Sequence, residues 1–403
     1  MIYLSLKIFG VQKQKINKNM SENFKMIAKT FYGFEDVLAI ELLELGAQKI
    51  EKGLRNVSFY GDKGFLYKSN LCLRTALRIL KPIFHFKFKD IEDYYKNINN
   101  FKWEELIDVD SSFIINSVVF HSKTFNNSKY ASLKAKDAIV DRFRDTFKKR
   151  PDVNSSNPDL KIEIHVNRNL CSISIDSSGD SLHKRGYKKY NSHAPLNEVL
   201  AAGIILMSGW DKKSDLLDPM CGTGTILIEA AMIARNIAPN LNRSFFAFEK
   251  WKDWDEDLFE LIEKSVLGKI VDFDNKLYGF DISLSMIKKA EKNIEISQVD
   301  VDIEVLKKDF LKSSKEDQDD LFIIINPPYD KRISADVKSL YKSIGDTLKN
   351  NYQFSDVWII TANLEAIKSI GLKTSKKIKL FNSNLESRLL NYKIYPGTKK
   401  VKN

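Results

Sequence analysis

Cysteine is scarce in this 403-residue chain: Cys72, Cys171 and Cys221 stand far apart, with no Cys-x-x-Cys spacing. That scarcity excludes a disulfide framework and a cysteine-based zinc site, and it fits a reducing compartment. Histidine is also sparse, with five residues scattered along the chain, so no metal centre is expected. No apolar run approaches the roughly 20 residues that span a bilayer; Leu200–Met207 comes nearest and is short. The opening MIYLSLKIFGVQKQK lacks the basic, apolar, small-residue order of a signal peptide. Internal repeats and low-complexity linkers are missing too. These absences lead us to expect a soluble, cytoplasmic protein without membrane or metal partners, a monomer being favoured, in which residues 1–20 are a loose extension.

Positive charge, by contrast, is in excess. Lys and Arg number 64 against 53 Asp and Glu, a net charge of +11, which suits either a polyanionic partner or a composition merely rich in Lys, Asn and Ile. The surplus is local as well as global, because residues 121–190 hold fifteen Lys/Arg and eight Asp/Glu. A helical stretch there carries Lys134, Arg142, Lys148, Lys149 and Arg150, which by default form a solvated face. HKRGYKKY (183–190) differs, since Lys184, Arg185, Lys188 and Lys189 flank Tyr187 and Tyr190. Cations that grip phosphates beside rings that stack on bases suit single-stranded or looped RNA.

The chain divides by pattern. From Phe24 a strand precedes a helix with Phe34, Leu38, Leu42 and Leu45 at helical spacing, closed by Gly46. A strand around Val57–Phe59 and a helix through Leu66–Leu80, ending near Pro82, follow. A second unit starts near Ile91 with a strand (Phe113–Phe120), a basic helix (Lys129–Lys149) and a hairpin in which Ile162, Ile164 and Val166 alternate, then Cys171, Ile173 and Ile175. This half is α+β, over residues 21–177, with a ferredoxin-like part at about 21–90. From residue 178 strands alternate with helices, which predicts a parallel sheet whose ligands lie at the carboxyl ends of its strands. KIKLFN and LLNYKIYPG read as an antiparallel pair closing one edge.

Four signals in that second half carry chemistry. LLDPMCGTGTILIEAA (216–231) is a strand, a turn with Gly222 and Gly224, and a helix, a form that lets backbone approach a ligand closely. Asp281, in GFDIS, follows the next strand, where a carboxylate can take both ribose hydroxyls of a nucleoside. It lies 57 residues beyond Gly224, far more than the roughly 20 of a dinucleotide fold, and an insertion over Asn240–Asp274 accounts for the gap. Asp309-Phe310 follows a third strand, placed to meet an adenine ring. Last, LFIIINPPYD (321–330) runs four apolar residues into Asn326-Pro327-Pro328-Tyr329, where two prolines remove two backbone donors and end the strand.

DPMCGTGT, FDIS, KDF and NPPY, in this order, resemble the motifs of class I S-adenosylmethionine-dependent methyltransferases, with NPPY typical of those acting on exocyclic amino nitrogens of bases. SLHKRGYK, APLNEVLAAGIILMSGW and LFNSNLESRLLNYKIY extend the resemblance to the THUMP-domain RNA methyltransferases over roughly residues 21 to 397. Within that family the likeness is strongest to the enzymes that make N2-methylguanine in bacterial 23S ribosomal RNA. The resemblance implies a Rossmann-like catalytic domain over residues 178–403 behind an RNA-binding THUMP region. It also implies that S-adenosylmethionine is held by Asp218, Pro219, Gly222, Thr223, Gly224, Asp281, Ile282, Asp309 and Phe310, and that Asn326, Pro327, Pro328 and Tyr329 clamp a flipped-out guanine. Arg185 and Tyr187 are candidates either for RNA or for shaping the cofactor pocket. Two positions depart from the pattern, Asp330 and Ser383, where the family usually has Gly. Methylation of a tRNA guanine or of adenine N6 remains open, as does a non-catalytic role in ribosome assembly.

Overall fold

In the computed structural model of this protein, the described residues are 23–192, 196–315, 320–328, 334–382 and 385–396, without side chains for 334–336 and 382. The extension at residues 1–20, Tyr329, Asp330 and Ser383 lie outside them. Two sheets organise the chain, the first built from β1 (Phe24–Lys29), β2 (Gln48–Gly53), β3 (Asn56–Gly61), β4 (Arg78–Lys87), β5 (Ser112–Phe120), β6 (Asp152–Val153), β7 (Leu160–Asn167) and β8 (Leu170–Asp176). Its order, β2-β3-β1-β4-β8-β7-β5-β6, makes one continuous surface of the ferredoxin-like and THUMP-like parts through the β4–β8 pairing. Helices α1 (Glu35–Leu45), α2 (Lys63–Cys72), α3 (Ile91–Asn100) and α4 (Ser128–Phe147) belong to this half. The left-handed Gly46 ends α1 with its N–H returning to Leu42 and Leu43, as the closing glycine predicts.

One expectation fails here. The apolar spacing across Leu66–Leu80 predicts a single helix, but the chain leaves α2 at Cys72 and enters β4 at Arg78. Pro82 lies within that strand, where the β4–β8 register shifts between Pro82 and Phe84. At such an irregularity a residue without an N–H disturbs the ladder least, so the proline marks a bulge and not a helix end.

The second sheet contains β9 (Asp215–Asp218), β10 (Leu277–Asp281), β11 (Ile303–Lys307), β12 (Leu321–Ile325), β13 (Ser355–Thr361), β14 (Lys376–Asn382) and β15 (Leu385–Ile394), in the order β11-β10-β9-β12-β13-β15-β14. Five strands are parallel and β15 pairs antiparallel with both β13 and β14, the closing pair expected from the tail. Helices α5 (Glu198–Ser208), α6 (Thr225–Ala234), α7 (Glu256–Leu267), α8 (Leu284–Ser297) and α9 (Ser334–Asn351) complete this half. Asn197 caps α5, its side chain accepting the Leu200 N–H at 3.2 Å. The strand order reverses between β10 and β12 on either side of β9, which opens a crevice at their carboxyl ends.

The two halves share their cores. The insertion predicted over Asn240–Asp274 folds back on the first half: Phe246, Phe248 and Trp251 join the core that contains Met26, Tyr67 and Ile79. Phe248 lies 4.6 Å from the Tyr67 ring and stacks on Phe246 at 5.1 Å. Beside this apolar joint is a polar one. Arg185, fully buried, donates from Nε to Glu229 Oε1 at 3.3 Å and from Nη2 to Glu229 Oε2 at 3.4 Å. It also donates to the carbonyls of Leu182 (2.9 Å) and Arg74 (2.6 Å) and to Asn240 Oδ1 (3.3 Å). Arg74 in turn donates to the carbonyls of Met232 and Ile237 at 3.1 and 2.7 Å, so a loop of the first half clasps the end of α6.

Removing one member of a buried ion pair leaves the other charge stranded, at a cost of about 3–5 kcal/mol. Arg185→Met is therefore expected to lower the unfolding free energy by an amount of that order, read from denaturant titration. Arg185→Met combined with Glu229→Met should recover much of the loss, since neither charge then remains buried.

Candidate functional site

Three carboxylates step across three neighbouring strand ends. Gly279 of β10 pairs with Asp218 at the end of β9, and Asp281 of β10 pairs with Lys307 of β11, two residues before Asp309. Asp281 is tied to the turn after β9: its Oδ2 accepts the Gly222 N–H at 3.1 Å and its Oδ1 accepts the Ser283 N–H at 2.8 Å. The Gly222 and Gly224 backbones are left-handed (φ 54° and 81°). The space a Gly222 Cβ would take is empty to 4 Å, so the turn offers bare backbone to the crevice. Thr223 is buried, and its carbonyl accepts from Asn293 Nδ2 at 3.2 Å.

Asp218 and Pro219 are buried at the foot of this turn. The Asp218 carboxyl is pushed up to about 7, first by burial and then by the neighbouring Asp281 charge, against the Met220 N–H that it accepts at 3.2 Å. Ile282 stands 71% exposed beside Asp281, an uncovered apolar side chain at the mouth of the crevice. Asp309 is 37% exposed and caps the following turn through the Leu311 N–H. Phe310 departs from expectation. Its ring is buried and packs on Tyr352 at 5.2 Å, within the core that includes Ile325 and Ile359. It therefore supports the wall from behind and offers no ring face to a ligand.

On the other side of β9 lies β12. Ile323 is level with Leu217, which brings Asn326 just past the level of Asp218. Ile323, Ile324 and Ile325 are fully buried, Pro327 is buried and Pro328 is exposed. Asn326 Oδ1 is buried and accepts no hydrogen bond, an unusual state for a polar atom in a folded protein.

The cationic residues predicted for RNA separate into two groups. Lys148, Lys149 and Arg150 are exposed at the end of α4, Lys134 is half-buried with Nζ 5.9 Å from the Tyr130 ring, and Lys184 is exposed and pairs with Asp180 at 3.1 Å. The others are engaged inside the protein. Arg142 makes a two-pronged contact with Glu104, at 2.7 and 2.5 Å, joining α4 to the turn after α3. Lys188 is buried against Glu198 at 3.2 Å. Arg185 and Tyr187 are both fully buried, and Tyr187 donates to Glu229 Oε1 at 3.0 Å. Neither Arg185 nor Tyr187 can meet RNA directly; both brace α6, the helix that starts at the glycine turn.

Sequence reasoning missed Asn293. It is fully buried in α8, where its side chain holds the Tyr190 backbone N–H at 3.1 Å and carbonyl at 2.9 Å as well as the Thr223 carbonyl. Its only sequence signal is an amide among the apolar positions Ile287, Ala290 and Ile294 of α8. Among the described residues, no cluster of three or more His, Cys, Asp or Glu could hold a metal ion, and no helix is long and apolar enough to cross a membrane.

Comparison with known proteins places these features. The family model described as RMKL-like, methyltransferase domain, matches residues 185–391; the THUMP domain matches 88–176 and the RlmL ferredoxin-like domain 25–80. A Synechocystis protein named as an RNA methyltransferase is 34% identical over 90% of this chain and 95% of its own. The ribosomal RNA large subunit methyltransferase K/L of Syntrophotalea carbinolica is 34% identical over 93% of this chain and 54% of its own. This chain thus spans about half the length of that relative. The solved structure of SMU.472 in complex with S-adenosylhomocysteine superposes with a TM-score of 0.83 at 29% identity, covering 94% of this chain and 100% of that one.

The crevice fits S-adenosylmethionine, the cofactor of these enzymes. Open space over Gly222, a carboxylate fixed at the end of β10 and an uncovered Ile282 are what a nucleoside with a charged tail requires. We expect Asp218 to face the tail. It must then be ionised to take an ammonium group, and a carboxyl at about 7 is protonated below that pH and ionised above it. Affinity for S-adenosylmethionine should be full at pH 8 and fall by up to about tenfold per pH unit below 7. Calorimetric titration across pH 5.5–8.5 should show that slope, and Asp218→Asn should flatten it at the weaker level.

Proposed function

This chain belongs to the RMKL-like methyltransferases that carry a THUMP domain, and from that premise we propose that it methylates the exocyclic N2 of a guanine in 23S ribosomal RNA. The observation that carries the proposal is Asn326 Oδ1, a buried acceptor without a donor beside the cofactor turn. An amino group on a base supplies the donor that this oxygen lacks. The chain is an S-adenosylmethionine-dependent RNA methyltransferase, and its relatives with the K/L name support the ribosomal assignment.

The guanine amino nitrogen is a poor nucleophile because its lone pair is delocalised into the ring. Asn326 Oδ1 and the Pro327 carbonyl accept its two hydrogens, which favours a lone pair localised on nitrogen. Pro327 and Pro328 have no N–H to donate, and each disfavours a helical conformation in the residue before it, so Asn326 and Pro327 favour extended backbone. Burial of β12 up to Ile325 fixes the clamp on a rigid element, and positioning of this kind is worth several kcal/mol of barrier. S-adenosylmethionine supplies an already activated methyl group. The residues reserved for it are Asp218, Pro219, Gly222, Thr223, Gly224, Asp281, Ile282 and Asp309, with Phe310 behind them. Tyr329, which follows the clamp, is assigned to stacking on the base, which must leave its helix to reach the strand end.

Asn326→Ala is expected to reduce methyl transfer to undermodified 23S RNA by roughly 10²–10³-fold, the effect of losing one preorganised polar partner, with unchanged affinity for S-adenosylmethionine. Radiolabelled transfer followed by nucleoside mass spectrometry checks both product and substrate. Label in tRNA instead of 23S RNA would overturn the ribosomal assignment, and N6-methyladenine as product would overturn the guanine assignment.

A further inference from the structure

A cleft of about 880 Å³ lies away from the strand ends, between the two halves, lined among others by Lys161, His183, Lys184, Asn191, Arg243 and Phe245. The segment that connects the halves and the insertion after α6 build it together. Gly186 has φ 99°, and a Cβ there would fall 2.0 Å from the Asn242 carbonyl oxygen, so the two backbones are pressed together. Arg243 reaches back across this seam and donates to the carbonyls of Ser178 (3.2 Å), Asp180 (3.1 Å), Ser181 (3.2 Å) and Lys184 (2.8 Å).

Cations outnumber carboxylates in the cleft, whose lining acids are Asp180, paired with Lys184 at 3.1 Å, and Glu198. Arg185 and Lys188 line it too, but each is paired with a buried carboxylate, Glu229 and Glu198. Lys161 donates only to the Gly179 carbonyl, at 3.0 Å, and neither it nor Arg243 forms an ion pair among the described residues. Carbonyls orient a cation without cancelling its charge. Arg243 is lowered to about 10 by burial and is still a cation at neutral pH, with its Nε buried and unpartnered. His183 registers the resulting field, being held down at about 4 by burial and by Arg185, Lys184, Lys188 and Arg243. It is thus neutral, with Nδ1 2.9 Å from Ser181 Oγ. A cleft with an excess of cations and a half-buried ring, Phe245, is built for a flexible polyanion with flat groups.

Hydrogen bonds tie the cleft to the glycine turn after β9. Asn191 lines it, and the Asn191 carbonyl accepts from Lys289 of α8 at 2.9 Å. The preceding Tyr190 is held by Asn293, whose side chain reaches the Thr223 carbonyl in the cofactor turn.

We propose that this cleft seats a single-stranded RNA segment next to the target nucleotide, with Lys161 and Lys184 on its phosphates, Arg243 adding positive charge, and Phe245 against a base. This assignment rests on the reading of the chain as an RNA methyltransferase and names where that RNA lies.

Fluorescence anisotropy with the full chain tests it, on an undermodified 23S fragment, a tRNA and a single-stranded oligouridylate, each across a salt series. Lys161→Ala and Lys184→Ala should each weaken binding several-fold and lower the slope of log K against log salt by about 1. A control at a distant exposed cation, Lys368→Ala, should do neither. Melting temperature and affinity for S-adenosylmethionine should match the parent in all three variants. Affinity and slope unchanged in the Lys161→Ala, Lys184→Ala double variant would overturn the cleft assignment, as would competition by an acidic peptide but not by RNA. If the parent methylates tRNA and not 23S RNA, the ribosomal reading falls, and the cleft is judged on tRNA by the same slopes.

Discussion

The buried pairing of Arg185 with Glu229 is the constraint on which the arrangement of this enzyme depends. A guanidinium has five N–H donors and no acceptor. Here all five are used, on Glu229 twice, on Asn240 and on the carbonyls of Leu182 and Arg74. Those acceptors come from the helix after the cofactor turn, the insertion, the connecting segment and a loop of the first half. Ionised groups this deep are tolerated only with such complete pairing. The contact therefore demands that four pieces of chain meet in one geometry, and it sets the glycine turn relative to the THUMP half.

The insertion supplies the apolar counterpart. By contributing Phe246, Phe248 and Trp251 to the first core, a segment of the catalytic half becomes part of the other half's interior. A hinge between the two would have to expose those rings to water, at about 25 cal/mol for each Å² of apolar surface. Rigidity of this kind suits an enzyme whose substrate is much larger than its reacting group. Contacts far from the chemistry can then position the RNA, because the two halves share one core.

Much of the catalytic half was legible in residues alone. The order DPMCGTGT, FDIS, KDF, NPPY marks successive strand ends because glycine turns, strand-end acids and paired prolines each act on their immediate neighbours. The acids of three of these motifs do occupy neighbouring strand ends around Asn326. The errors have a common origin as well. Leu66–Leu80 has helical apolar spacing, yet its second part is a strand, since pairing with β8 outweighs local periodicity. HKRGYKKY has the composition of an RNA-binding loop, yet its Arg185 and Tyr187 are interior. Composition carries no sign of Glu229, more than forty residues away, which turns a surface cation into a core residue.

Local sequence was enough for the glycine turn, the strand-end acids, the proline-ended strand at Asn326 and the alternation that makes a parallel sheet. Each depends on contacts within a few residues: φ restriction at proline, left-handed backbone at glycine, and one side chain per strand end. Long-range packing settled which cations stay exposed, that Phe310 is buried against Tyr352, and that Lys161 and Arg243 line one cleft. Burial and charge balance are sums over residues distant in sequence. They come into being when the two halves close on each other around Arg185.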